Sequence, residues 1–182
     1  MKNTYIKKAL YFAAEKHDGQ YRRIGNKLPY IIHPVEVAFG VSRYTDDEEV
    51  IASALLHDVL EDCPDVCMRF LKKEFNGRIA KIVNEVTVAG KYSTWKEKMD
   101  MCLEKTKKAS KDALIIIAVD KISNMQDYFD SVKRNDPIVK SFGGTPDQFR
   151  WYYSAIENIL AFKLEKHAVA KEYSKIWKLC RK

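Results

Sequence analysis

Apolar residues return every three or four positions along most of this chain, the spacing of one helical face rather than the alternation of a strand. The first such run covers about residues 4–16, and a loop over 18–28 follows it, carrying Gly19, Gly25 and several basic residues. Pro34 then stands as a first-turn proline opening a helix that carries Val35, Val37, Ala38 and Val41. The stretch "TDDEEVIASALLHDVLED" predicts one continuous helix. Thr45 with Glu48 makes a capping box, and Asp46 and Asp47 suit the positive end of the helix dipole. Ile51, Ala54, Leu55 and Val59 form its inward face, and Pro64 stops it. Further helices are predicted over 65–74, 77–86, 94–108 and 111–128. A loop with Gly143, Gly144 and Pro146 precedes a long helical stretch over 147–179.

Only "DALIIIAVD" has enough β-branched residues to argue for a strand, and the helical spacing continues past Asp120, so it reads as a buried helix. The expectation is an all-α bundle of roughly eight to ten helices, one domain over residues 1–182 with no repeat or linker. A chain of 182 residues can bury a substantial core. Its 46% hydrophobic content excludes a disordered chain. The longest apolar run, around 113–119, is too short to span a bilayer. Near the N-terminus, Glu15 and Lys16 interrupt the apolar stretch that a signal peptide would need. These features point to a cytoplasmic protein with no membrane partner.

Cys63 and Cys67 have a C-x3-C spacing, but Cys102 and Cys180 supply no second pair, so buried or incidental thiols are expected rather than a zinc site. The net charge of +7 suits an anionic partner without choosing among nucleotide, nucleic acid and acidic protein. Lys105, Lys107, Lys108 and Lys111 read first as a solvated helix surface, and a groove lining or nucleic-acid patch is the alternative.

The chemistry concentrates in "LLHDVLEDC". On a continuous helix, His57, Asp58 and Glu61 share one side and Asp62 borders it. One imidazole and three carboxylates within about a turn and a half can hold a divalent cation, which relieves their repulsion. The bland alternative is an acidic helix end, which the negative end of the dipole disfavours. His33, just before Pro34, and Asp120, with Asn124 one turn on, would each usually be structural. Taken together, His33, His57, Asp58 and Asp120 make a mixed nitrogen and oxygen ligand set suited to Mn²⁺, Fe²⁺, Zn²⁺ or, less well, Mg²⁺.

The pattern H…HD…D with "HDVLED" resembles the HD-domain metal phosphohydrolases. More narrowly, "QYRRIGNKLPYIIHP", "ASALLHDVLEDC" and "AVDKISNMQDY" are similar to the hydrolase domain of the RelA/SpoT family, which removes the 3′-pyrophosphate from (p)ppGpp. The resemblance runs from about Ala13 through Asp127, with a metal core over about 13–128 and C-terminal helices over about 147–180. Because the chain ends where a bifunctional member begins its synthetase domain, it is similar to the small stand-alone alarmone hydrolases.

The resemblance implies the HD helical bundle, with Mn²⁺ as the favoured cofactor and His33, His57, Asp58 and Asp120 as its ligands. It implies that Glu61 and Asp62 act on the attacking water. Arg22, Arg23 and Lys27 in the loop, with Asn124, are implied as contacts to the nucleotide. The family carries Arg at the place of Lys121, His at Ser123 and Thr at Asp127. A carboxylate at 127 costs affinity for a polyanion unless a lysine or arginine pairs with it. The rival expectations are a phosphohydrolase for another nucleotide (a nucleoside mono- or triphosphate, or NADPH) and a non-catalytic module that binds nucleotide or nucleic acid. The intact set of six acidic and imidazole groups disfavours the second, so a nucleic-acid partner is not expected, while a homodimer is compatible. His17 is expected to be structural. Trp95 and Trp151 are expected in an aromatic core, with Trp151, Tyr152 and Tyr153 as an alternative assembly surface.

Overall fold

The computed structural model describes residues 4–22, 28–136, 139 and 143–181. They form ten helices and no strand, only an isolated bridge between Tyr21 and Pro29. This is the all-α class expected. The chain forms two compact units, Met1–Gly90 and Lys91–Lys182.

In the first unit, α1 (Thr4–Lys16) and α2 (Ile32–Val41) pack on α3 (Glu48–Leu55), which also packs on α6 (Gly77–Val86). The short α4 (Val59–Asp62) follows α3, and α5 (Met68–Glu74) packs on α6. The helix α3 can lie at the centre because Ala52, Ser53 and Ala54 are small and all three are buried. Leu56 and Leu71 are fully buried, each contributing about 1.5–3 kcal/mol over an exposed side chain. Pro34 is the third residue of α2, where a helix has no use for its missing N–H. His33 is therefore inside the first turn rather than ahead of it.

The predicted helix through "HDVLED" is broken. Residues 56–58 form a turn between α3 and α4. In a continuous helix the Ala54 carbonyl would accept from the Asp58 N–H. Here the Nδ1 of His57 lies 2.8 Å from that carbonyl oxygen and takes its place. The chain continues with tighter bonds, Val59 N–H to Leu56 O at 3.1 Å and Glu61 N–H to Asp58 O at 3.0 Å. The start of α3 also differs from expectation. Asp47 is the N-cap, its carboxylate accepting from the Glu49 N–H at 3.0 Å, while Thr45 Oγ1 accepts from the Asp47 N–H. The aspartate two residues later caps the helix instead, and the free amide it satisfies is that of Glu49 rather than that of Glu48.

In the second unit, α8 (Lys111–Lys133) packs on α9 (Pro146–Lys163) and α10 (Ala168–Cys180), and α7 (Trp95–Lys108) packs on α9. Ala113 through Asp120 are buried, which confirms the helical reading of "DALIIIAVD". The single long C-terminal helix expected is two helices, because His167 caps α10 by accepting from the Val169 N–H at 3.3 Å. Tyr128 stacks on Phe149 with centroids 3.9 Å apart, and Tyr153 and Phe129 each lie 5.8 Å from Trp177. Tyr152 and Tyr153 are buried in this core, which removes them from the alternative assembly surface; Trp151 alone is partly exposed, under the Lys96 ammonium at 4.0 Å. Among the described residues no helix is long and apolar enough to cross a membrane.

Candidate metal centre

The break after α3 turns two ligand-type side chains toward a third. His33, from the first turn of α2, meets His57 and Asp58 from the turn, and one ligand atom from each lies within 4.8 Å of the others. His57 Nε2 is 3.0 Å from Asp58 Oδ2, and His33 Nε2 is 3.8 Å from the same oxygen. The two imidazoles sit edge to face with centroids 5.1 Å apart. Both rings are almost wholly buried, while Asp58 stays partly open.

The tautomer of His57 follows from its neighbours. Nδ1 faces the Ala54 carbonyl, so in the neutral ring that nitrogen carries the hydrogen and Nε2 keeps the lone pair. A lone pair facing a carboxylate oxygen at 3.0 Å is repulsive unless a proton or a cation is shared between them. Two nitrogens and a carboxylate oxygen, close together and largely dry, make a donor set that fits Mn²⁺, Fe²⁺ or Zn²⁺.

Around this cluster lie the other acids of the motif. Glu61 Oε2 accepts from the Val88 N–H at 3.3 Å, which ties it to the segment after α6. The Asp62 carboxyl is pushed above the ordinary aspartate range, first by burial and then by the negative charges of Asp58 and Glu61. The side chain of Gln20 donates to the Asp62 carbonyl at 3.2 Å. The Arg22 guanidinium lies 5.9 Å from the Tyr30 ring. Arg23 and Lys27, also expected at the nucleotide, lie outside the described residues.

Tyr30 was missed by sequence reasoning. Its hydroxyl donates to Asp58 Oδ2 at 2.7 Å. The only sequence signal is its place three residues before His33, within "PYIIHP". His17 is buried, as expected for a structural histidine, with Nδ1 2.8 Å from Gln20 Oε1 and its ring 4.9 Å from that of Tyr30. Cys63 is a buried thiol donating to the Lys16 carbonyl, and burial, reinforced by Asp62, pushes its pKa up to about 11. Cys67 is exposed, and all four cysteines are free.

In the second unit Asp120 is 7% exposed, near the middle of α8. Its Oδ1 accepts from Asn124 Nδ2 at 2.5 Å, and its Oδ2 accepts from Lys121 Nζ at 2.6 Å. Desolvation alone would lower the Lys121 pKa, but Asp120 and the neighbouring Tyr152 and Cys102 raise it well above the ordinary lysine value. Lys121 therefore stays an ammonium against Asp120. Asn124 shares a face with Asp120, as the one-turn spacing implied.

The family model for the HD domain matches residues 9–140. A guanosine-3′,5′-bis(diphosphate) 3′-pyrophosphohydrolase of Aquifex aeolicus is 37% identical over 128 residues, 70% of this chain; the chain spans only 17% of that relative's length. The guanosine-3′,5′-bis(diphosphate) 3′-pyrophosphohydrolase MESH1 of Xenopus tropicalis is 31% identical over 85% of this chain and 84% of its own. A solved structure of a metazoan ortholog of SpoT, described as hydrolysing ppGpp, aligns with a TM-score of 0.78 at 26% identity. That alignment covers 97% of this chain and 95% of the other.

Proposed function

The chain belongs to the HD domain family, and from that premise we propose that it is a metal-dependent hydrolase of guanosine 3′,5′-bis(diphosphate), releasing pyrophosphate from the 3′ position. The observation that carries this reading is the convergence of His33, His57 and Asp58 within 4.8 Å, in a chain similar to relatives that bear this activity over most of their length. Mn²⁺ is the cation that the family resemblance favours, and two imidazoles with a carboxylate accommodate it alongside Fe²⁺ and Zn²⁺. Asp120 joins the ligands on the sequence resemblance, and the Mn²⁺ affinity of Asp120→Ala tests that assignment.

A divalent cation at such a centre supplies Lewis acidity toward a phosphoryl oxygen and a lowered pKa for water. The side chains do the rest. His57 is held with Nε2 as its ligand atom by the Ala54 carbonyl. Asp62, whose affinity for a proton is raised by burial and by its acidic neighbours, is the carboxylate suited to take a proton from the attacking water. Glu61, fixed by the Val88 amide, stands next to it to relay that proton. Water adds to phosphorus, the bond to the ribose 3′ oxygen breaks, and GDP and pyrophosphate leave; with pppGpp the nucleoside product is GTP. In this reading Arg22, whose guanidinium lies against the Tyr30 ring, pairs with phosphate or stacks on a base, and Arg23, Lys27 and Asn124 complete the nucleotide contacts. The setting is the cytoplasm, which agrees with a nucleotide substrate and four free thiols. A homodimer is compatible with it.

Purified protein with added Mn²⁺, offered ppGpp, pppGpp, nucleoside mono- and triphosphates and NADPH, tests the reading. Pyrophosphate should appear from ppGpp and pppGpp. Phosphate from another nucleotide, with no pyrophosphate from ppGpp, would overturn it.

A further inference from the structure

One hydroxyl touches the carboxylate that the proposed chemistry gives to the metal. Tyr30 donates to Asp58 Oδ2 at 2.7 Å, the same oxygen that faces both imidazoles. We propose that Tyr30 is a positioning residue that sets the rotation of the Asp58 carboxylate toward the metal. This inference rests on the metal reading of the centre.

A carboxylate on a short turn can rotate about its terminal bond, so either oxygen could be offered to a ligand. The nearer imidazole, His57, does not choose between them, because its Nε2 offers only a lone pair or a shared cation. A donor aimed at Oδ2 from outside does choose. It occupies one lone-pair direction and leaves the other toward His33 and His57. Partners of this kind orient a ligand and tune its basicity, and their loss commonly costs metal affinity.

The ring that carries the hydroxyl is fixed from several directions. The Tyr30 N–H donates to the Gln20 carbonyl at 2.9 Å, and the Tyr30 carbonyl accepts from the His33 N–H at 3.0 Å. His17 lies against the ring at 4.9 Å and is itself bonded to the Gln20 side chain, whose amide donates to the Asp62 carbonyl. The segment before α2, the end of α1 and the end of α4 are thus tied together around one phenol. Sliding any of them would move its oxygen.

Tyr30→Phe removes that oxygen and keeps the ring. Mn²⁺ titration by calorimetry on the full chain should show affinity weakened by about 10- to 100-fold. At saturating Mn²⁺, kcat for ppGpp should fall about tenfold while KM stays within about twofold, because the loss concerns ligand geometry rather than nucleotide contacts. The metal-free melting temperature should stay within about 2 °C of wild type. Wild-type Mn²⁺ affinity and kcat in the variant would overturn the inference while leaving the metal reading intact. A metal-free melting point lower by more than about 5 °C would make Tyr30 a packing residue and overturn it too. Wild-type protein that binds no Mn²⁺ would instead remove the metal reading, and the inference with it.

Discussion

Asp58→Asn separates the metal role of the cluster from a structural one. The amide keeps the shape of the side chain, and it can still accept from the Tyr30 hydroxyl, but the charge is gone. In the wild type, one oxygen of Asp58 stands 3.0 Å and 3.8 Å from two imidazole nitrogens, and its negative charge helps raise the pKa of Asp62. A cation present at one hundred times its Kd stabilises the fold that binds it by about 2.7 kcal/mol. For a chain of 182 residues, each kcal/mol moves the melting temperature by about 2–4 °C. Saturating Mn²⁺ should therefore raise the wild-type melting temperature by about 5–11 °C in differential scanning fluorimetry or calorimetry. Asn removes the only anionic ligand of the three, and the rise should shrink to less than about 2 °C at the same Mn²⁺ concentration. In EDTA the sign reverses. Removing one of three crowded negative charges should leave the variant at or slightly above the wild-type melting temperature. A variant with the full Mn²⁺ rise would show that the cation binds elsewhere. A variant that melts well below wild type in EDTA would show that Asp58 is there for the fold.

Three further outcomes follow from the same structure. Glu61→Gln should keep the Mn²⁺-induced stabilisation but lose about 10²-fold or more in kcat in steady-state assays, as expected for an acid/base group; normal turnover would transfer the role to Asp62 alone. Gly144→Ala would place a Cβ 2.9 Å from Trp95 Cε2 and 3.0 Å from Phe149 Cε2, so overpacking of about 1–3 kcal/mol should exceed the gain of about 0.4–1 kcal/mol from a stiffer unfolded chain, and thermal melting should show a net loss. Burial, and then Lys111, lower the pKa of His167, whose Nδ1 caps α10 only while deprotonated. The native state thus binds fewer protons than the unfolded one near pH 6, and chemical denaturation should show stability complete above about pH 6.5 and falling below it. His167→Asn should flatten that fall by supplying a cap that does not titrate.

The sequence made the helices legible wherever the apolar spacing and the caps agree. Thr4–Lys16 and Gly77–Val86 fall where the pattern puts them, and Thr94 and Ser110 cap α7 and α8 as short polar residues do. The break at residues 56–58 was hidden, because Ile51, Ala54, Leu55 and Val59 keep the helical period across it. What interrupts the helix is a side chain, His57, taking a backbone acceptor, and periodicity does not register that competition. The end of α9 was hidden for a related reason: neither glycine nor proline marks residues 164–167, and the cap is an imidazole. The cluster was legible as chemistry, since His33, His57 and Asp58 were all singled out from spacing and residue type, and the structure brings these three together. Tyr30 was not. A tyrosine in a loop has many ordinary uses, and only the fold brings its hydroxyl to Asp58.

The central claim is that His33, His57 and Asp58 converge to hold a divalent cation. Anomalous diffraction from crystals grown with Mn²⁺ tests it most directly. The account predicts a strong manganese peak within coordination distance of His33, of His57 through Nε2, and of Asp58. A manganese site elsewhere, with no peak among these three side chains at saturating Mn²⁺, would contradict it.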